Sequence, residues 1–259
     1  MSTLTVSLVQ FDITWQQPDD NFRRLNRVIH PLTGHTDLII LPEMFSTGFT
    51  MDPETWFEEP EGPAYVWLHT MAGRTGACIA GSYIVRDNGK YFNRLLYVFP
   101  DGREYVYDKR HLFRMGEEHL HYTPGNQRIV IPFRNFRIKP FICYDLRFPV
   151  WIRSRNDADL LIFVANWPAS RRNVWNILLK ARAIENQMYV AGVNRTGKDG
   201  RNISYSGDSA VISPKGEILA SLETGREGVL TCSIDLNELQ RFREKFPVHL
   251  DADDFTLFA

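Results

Sequence analysis

DLIILPE, residues 37–43, is the stretch that decides the fold. Leu38 to Leu41 are apolar without a break, so neither face of this segment is reserved for water. A strand of this kind is covered on both sides, as in a sheet carrying other layers above and below it. DLLIFVAN (159–166) repeats the pattern in the second half of the chain. LTVSLVQF (4–11) alternates instead and reads as a further strand. ACIAGSYIV, YFNRLLYVF and EYVYDK, within 77–109, read as strands joined by turns at Asp87-Asn88-Gly89 and Pro100-Asp101-Gly102. NFRIKPFICY (135–144) predicts a strand ending in a turn, and MYVAGVN, GDSAVISP, EILASL and VLTCSID predict later ones. Helical spacing falls between them. NFRRLNRVIH (21–30) aligns Phe22, Leu25, Val28 and Ile29, with Asp20 as a cap. Pro63 opens a helix with Val66, Trp67 and Met71 inside. DLRFPVWIRSR begins one interrupted near Pro149, and NVWNILLKARAIENQ (173–187) aligns Val174, Ile177, Leu178, Ala181 and Ile184. Strands interspersed with helices predict an α/β fold, and two sheets packed together satisfy the pattern.

The 259 residues, 44% of them hydrophobic, suffice for a large core. No repeat, low-complexity segment or Gly/Ser linker interrupts them, so a single domain over 1–259 is expected, with a C-terminal tail from about 236. Lys+Arg (30) nearly balances Asp+Glu (31), which gives no global attraction to nucleic acid or an anionic membrane. The apolar runs are strand-sized and too short to span a bilayer. MSTLTVSLVQFDITW carries no basic segment, long apolar stretch or small-residue cleavage site, and a cytoplasmic protein is expected. Cys78, Cys143 and Cys232 form no CxxC or Cys/His pattern, which argues against a disulfide scaffold and a zinc site. Cys78 and Cys232, inside alternating strands, read as small buried hydrophobes.

Glu43, Lys109 and Cys143 each end a strand, and in α/β architectures ligand sites gather at the carboxyl ends of strands. Their chemistry is complementary. An ordinary cysteine has a pKa of about 8.5 and is mostly protonated at neutral pH. A nearby ammonium favours the thiolate, and a carboxylate can take the proton. Backbone N–H groups in the turn after Cys143 and the Lys109 ammonium would face a developing oxyanion. Glu43 would serve as general base, then as acid to the leaving amine, then as base to the hydrolytic water. Each residue taken alone also has a plainer reading: a buried small side chain, a solvated loop acid, a surface charge.

The three together, with their surroundings, resemble the nitrilase superfamily of carbon–nitrogen hydrolases over nearly the whole chain. The matching segments are LPEMFSTGF, YDKRHLF and FICYDLRFP, in that order, followed by LLKARAIENQMYVAGVNRTG and YSGDSAVISPKGEIL. The resemblance implies a four-layer α-β-β-α sandwich and a Glu-Lys-Cys triad formed by Glu43, Lys109 and Cys143. It also implies a second glutamate that holds the lysine. Within MGEEHLHYTPGN, counting back from Thr-Pro-Gly selects Glu118 over Glu117. FRMGEEHLHYTPGN, FICYDLRFPVW, VANWPASR and REKFPVHLDADDF look most like bacterial omega-amidases, which hydrolyse the terminal amide of 2-oxoglutaramate or 2-oxosuccinamate. A nitrilase or an N-carbamoyl hydrolase using the same residues is the alternative, and a non-catalytic binding protein a more distant one. Papain-like chemistry lacks its histidine and its local cysteine signature.

Trp167, Arg171, Phe45 and Tyr144 are the candidate substrate-binding residues. Trp167 would wall the pocket, and Arg171 would offer a guanidinium fork to a substrate carboxylate. His111, His119 and His121 lack the spacing and companions of a metal site, so neither metal nor cofactor is expected. The expected partners are a small amide and water. Arg182 and Glu185 are one turn apart and can pair. By resemblance their helix borders a subunit interface, which implies a homo-oligomer, dimer or larger.

Overall fold

Two six-stranded sheets lie face to face, their inner faces sharing one apolar core. A computed structural model describes residues 2–257. In chain order the strands are β1 (Thr3–Gln10), β2 (Leu38–Ile40), β3 (Cys78–Asp87), β4 (Lys90–Val98), β5 (Glu104–Asp108), β6 (Ile131–Phe133) and β7 (Phe136–Ile142). They continue with β8 (Leu160–Ala165), β9 (Tyr189–Asn194), β10 (Thr196–Lys198), β11 (Ser204–Ser206), β12 (Ala210–Ile212), β13 (Ile218–Ser221) and β14 (Gly228–Asp235). The first sheet runs β14-β1-β2-β3-β4-β5 and the second β13-β12-β9-β8-β7-β6. In each, three parallel strands (β1-β2-β3 and β7-β8-β9) are flanked by one antiparallel strand on one side and two on the other. The two sheets thus repeat one plan, with β2 and β8 at its centre.

The helices are α1 (Pro18–Ile29), α2 (Pro53–Trp56), α3 (Pro63–Thr75), α4 (Glu118–His121), α5 (Pro149–Ile152), α6 (Arg172–Asn186) and α7 (Leu236–Lys245). The strand period of two sorts the side chains into layers. Leu4, Val6 and Leu8 of β1 enter the core between the sheets. Val9, Ile39, Leu41 and Ile79 face outward and are covered by Leu25 and Ile29 of α1 and Leu68 and Met71 of α3. On the far side α6 packs Trp175 and Leu179 against β9. Gly192 permits this approach, since a Cβ there would stand 2.6 Å from Leu179. The result is the α-β-β-α sandwich that the resemblance implies. Among the described residues no helix is long and apolar enough to cross a membrane.

Several local expectations are corrected. Asp20 does not cap α1: the helix begins at Pro18, and the Asp20 carboxylate accepts from the Thr14 hydroxyl at 3.0 Å. Val66 of α3 is exposed, and the buried face runs through Ala64, Leu68, Met71 and Ala72. On α6 the expected face is rotated. Ile177 and Ile184 are 55% and 54% exposed, while Trp175, Leu179, Arg182, Ala183 and Asn186 are buried. Two polar side chains on the inner face account for this. Arg182 donates twice to the Leu146 carbonyl (3.0 and 2.7 Å), and the Asn186 carbonyl oxygen accepts from the Ser154 N–H at 2.9 Å. The β10–β11 hairpin, two strands of three residues, has no counterpart in the sequence pattern. Residues from 236 onward begin with α7, whose first turn is capped by Asp235, accepting from Asn237 N at 2.8 Å. Arg243 of α7 reaches Asp159 and the carbonyls of Ala158 and Gln187.

Candidate active site

Four expected residues meet where the ends of the two sheets face each other. Glu43 lies three residues beyond β2, Lys109 directly follows β5, Cys143 directly follows β7, and Glu118 opens α4. Lys109 Nζ donates to Glu43 Oε1 at 2.7 Å and to Glu118 Oε1 and Oε2 at 3.0 and 2.9 Å. All three side chains are shut off from solvent. Glu118 also accepts from Phe113 N at 2.6 Å. Asn93 Nδ2 donates to both glutamates, at 2.8 and 3.3 Å. Two carboxylates can share so small a space because an ammonium and an amide stand between them.

Cys143 sits at φ +43°, in the left-handed region that non-glycine residues rarely adopt. This sharp turn carries the chain from β7 into a 3₁₀ turn over 143–147 and leaves the sulfur at the floor of a cavity. Strain of this kind persists where surrounding contacts over-determine it. Here Asp145 supplies them. Its buried carboxylate accepts from Ile142 N (3.1 Å), Tyr107 Oη (2.7 Å), His111 N (2.9 Å) and His111 Nδ1 (2.8 Å). Lys109 and Cys143 therefore each lie two residues before one member of the His111–Asp145 pair. His111 is committed to this contact and to stacking on Phe148 at 3.7 Å. Among the described residues no group of His, Cys, Asp and Glu is placed to hold a metal.

The electrostatics follow from burial and close charges. Burial alone would lower the Lys109 pKa, but the Glu118 and Glu43 carboxylates hold it well above the ordinary lysine value. Burial pushes Glu118 up, against the pull of Lys109. Burial and the Glu43 charge raise the Cys143 thiol well above its usual value, and Lys109 offsets only part of this. The two carboxylates thus favour the charged lysine, while burial and the Glu43 charge disfavour the thiolate.

The cavity, of about 300 Å³, is lined by Cys143, Lys109 and Asn166 at its base. Three of the four expected substrate-binding residues line it: Tyr144, Trp167 and Arg171. Phe45 does not. It is fully buried on the opposite face of the first sheet, against Phe22 and Trp67 at 6.2 and 5.5 Å. Met44 at φ +43° turns the chain after Glu43, so the next ring points away from the cavity. Phe49 takes the place expected for Phe45, with its ring 5.0 Å from Lys109 Nζ.

Sequence reasoning missed other residues of the site. Arg147 and Arg201 line the cavity beside Arg171, and among the described residues none of the three forms a salt bridge. Asp199 and Tyr205, joined by a 2.8 Å hydrogen bond, bring the β10–β11 hairpin to the cavity wall. Asn166, just beyond β8, donates its backbone N–H to Glu43 Oε2 at 2.8 Å and its side-chain amide to the Glu43 carbonyl. The strand-end rule that found Glu43 and Cys143 applies equally to Asn166.

A thiol in a strained turn, two carboxylates and a shared ammonium, at the facing ends of a four-layer sandwich, define the class: the chain belongs to the carbon-nitrogen hydrolase family, whose model matches residues 5–244. It is a hydrolase of carbon–nitrogen bonds other than peptide bonds, in the nitrilase superfamily. The chain is 45% identical over 258 residues to the omega-amidase YafV of Escherichia coli (strain K12), covering 100% of both. It is 36% identical over 253 residues to the 2-oxoglutaramate amidase of Bacillus subtilis (strain 168), covering 95% of this chain and 96% of that one. A CN-hydrolase superfamily protein from Xanthomonas campestris, crystallised with an arsenic adduct in its active site, matches with a TM-score of 0.97 at 44% identity over 100% of both chains.

Proposed function

We propose that this enzyme hydrolyses the terminal carboxamide of small 2-oxo dicarboxylate monoamides, 2-oxoglutaramate and 2-oxosuccinamate, to the acid and ammonia through a thioester on Cys143. The observation that carries the reading is the Glu43–Lys109–Glu118 cluster beside Cys143, at a cavity lined also by Arg147, Arg171 and Arg201, whose guanidinium groups form no salt bridge among the described residues. Both the omega-amidase and the 2-oxoglutaramate amidase relatives support the substrate class.

Burial and the Glu43 charge both disfavour the Cys143 thiolate, so attack by sulfur calls for a base beside it. Glu43 takes the proton as Sγ adds to the amide carbon. The carbonyl oxygen becomes an oxyanion and is met by the Lys109 ammonium and by N–H groups at the start of the 143–147 turn, which have no partners within that turn. Glu43 then passes the proton to nitrogen, the C–N bond breaks, and ammonia leaves. Water, deprotonated by Glu43, cleaves the thioester and restores the thiol. Glu118 keeps Lys109 charged and in place throughout.

An ammonia-release screen of amides, nitriles and carbamoyl compounds tests the reading. Turnover of 2-oxoglutaramate well above that of nitriles and carbamoyl amino acids supports it, and the reverse order favours the nitrilase or carbamoyl-hydrolase alternative. Hydroxylamine in the assay should divert the thioester to a hydroxamate. The arginines make a separate prediction. Charge-assisted hydrogen bonds contribute about 1.5–3 kcal/mol each, roughly 10- to 100-fold in affinity. A variant with Arg147, Arg171 and Arg201 all changed to Ala should therefore raise KM for the charged amide by at least about 30-fold. It should leave KM for neutral butyramide nearly unchanged, and equal effects on both substrates would remove the arginines from carboxylate recognition.

Ile177 and Ile184 form a second apolar face on α6, and we place the homo-oligomer contact there, to be checked by solution mass. Three unpaired cysteines suit the reducing cytoplasm.

A further inference from the structure

Resting on the amide-hydrolase reading above, we infer that Asn166 reads the nitrogen end of the substrate: its side-chain carbonyl oxygen accepts an N–H of the scissile carboxamide and so selects amides over esters. Every other polar group of this buried residue is engaged by the catalytic cluster. Its backbone N–H goes to Glu43 Oε2 and its Nδ2 to the Glu43 carbonyl, and its own carbonyl lies 3.8 Å from Cys143 Sγ. Asn166 Oδ1 is buried and has no hydrogen-bond partner among the described residues. The orientation of the side chain is not ambiguous. The Glu43 carbonyl can only accept, so the nitrogen faces it and the oxygen faces away.

Other buried polar atoms also lack partners, among them Asn93 Oδ1, Tyr97 Oη and Arg195 Nη1. Among the described residues with such an atom, Asn166 alone lines the cavity that holds Cys143 and Lys109. A buried acceptor without a donor is costly, and a ligand that supplies the donor recovers that cost.

The substrate amide carries such a donor. With its carbon at Sγ and its oxygen toward Lys109, its nitrogen lies on the Glu43 side, where Asn166 is fixed. Two N–H groups arrive there. One held by Oδ1 orients the nitrogen so that its lone pair, freed as the carbon becomes tetrahedral, meets the proton on Glu43. Sγ–C has then formed, C–N breaks, and the thiol proton leaves with ammonia. An ester has an oxygen at this position and no hydrogen to give, which leaves Oδ1 unpartnered.

The test compares succinamate with monomethyl succinate in the parent enzyme, Asn166→Ala and Asn166→Ser. The two substrates share the acyl group, the nucleophile and the thioester. In Asn166→Ala, kcat/KM for the amide should fall by about 100-fold, the scale of losing one well-aimed hydrogen bond to the reacting group. For the ester it should fall by less than about 10-fold. Asn166→Ser keeps a small acceptor and should recover part of the amide loss. Equal losses on both substrates would overturn the inference, because a residue that only braces Glu43 affects both alike. Ester loss exceeding amide loss would overturn it too. Absence of amide turnover by the parent enzyme would overturn the amide-hydrolase reading itself, an outcome distinct from either.

Discussion

A Cys143→Ala enzyme is expected to release no ammonia from any amide that the parent hydrolyses, a loss of at least about 10⁴-fold in kcat, as for other enzymes stripped of their nucleophile. Its fold should survive. Alanine meets the same left-handed backbone at this position as cysteine does, so the substitution adds no strain there. The sulfur it removes is one small group in a large core, and nothing charged is left unpaired. Thermal unfolding should shift by only a few degrees, which corresponds to about 1 kcal/mol. Hydroxamate formation should vanish together with hydrolysis. Ammonia release that persists while hydroxamate formation disappears would show that water attacks the amide directly, without the thioester.

Lys109→Met should do more damage, to stability as well as to rate. Among the described residues the ammonium is the only cation hydrogen-bonded to the Glu43 and Glu118 carboxylates, and all three groups are fully buried. Removing one partner of such a cluster costs about 3–5 kcal/mol, because the remaining charges stay buried without compensation. The loss should depend on pH. Lys109 has a raised pKa in the folded protein, so its stabilisation is fully present below the unfolded lysine value of about 10.4 and fades only above it. Glu118 is already raised, and without Lys109 it rises further. A raised carboxyl favours folding at pH below the unfolded value of about 4.3 and loses that contribution as pH climbs toward its folded value. The variant's deficit relative to the parent should therefore be small near pH 4 and grow toward neutrality. Denaturant unfolding at pH 4.5 and 7.5 measures this, and a deficit independent of pH would mean that the carboxylates are not held by Lys109.

Much of the site was legible for one physical reason. Glu43, Lys109 and Cys143 are reactive side chains at strand ends, and chain topology brings strand ends together. Family resemblance was needed to choose Glu118, since nothing in the doublet Glu117-Glu118 separates an exposed acid from a buried one. The structure separates them: Glu117 takes the left-handed position before α4, and Glu118 turns inward. Phe45 was misplaced because a single positive φ at Met44 reverses the next side chain, and no pattern of hydrophobicity reports a dihedral angle. Helix α6 misleads a pattern reading because it is apolar on two faces, and its inner face carries Arg182 and Asn186. Asn166 went unnoticed because an asparagine after a strand ordinarily marks a turn. Its hydrogen bonds to Glu43 cross 123 residues of sequence and leave no local trace.

The repeated plan of the two sheets has a mechanical consequence. Glu43 follows the central strand of one sheet and Asn166 the central strand of the other, so their mutual hydrogen bonds lie where the two halves of the plan meet. The first sheet carries the Glu43 carboxylate and the Lys109 ammonium, and the second carries the Cys143 sulfur. In the proposed reaction a misplacement of about 1 Å between them would cost about 100-fold in rate, whereas a slip of one strand residue moves a side chain by about 3.3 Å. The apolar layer between the sheets, aliphatic and aromatic together, therefore sets the register of Glu43 and Lys109 against Cys143. Mutations there, far from any substrate, should be felt as lost catalytic registration before they are felt as lost fold.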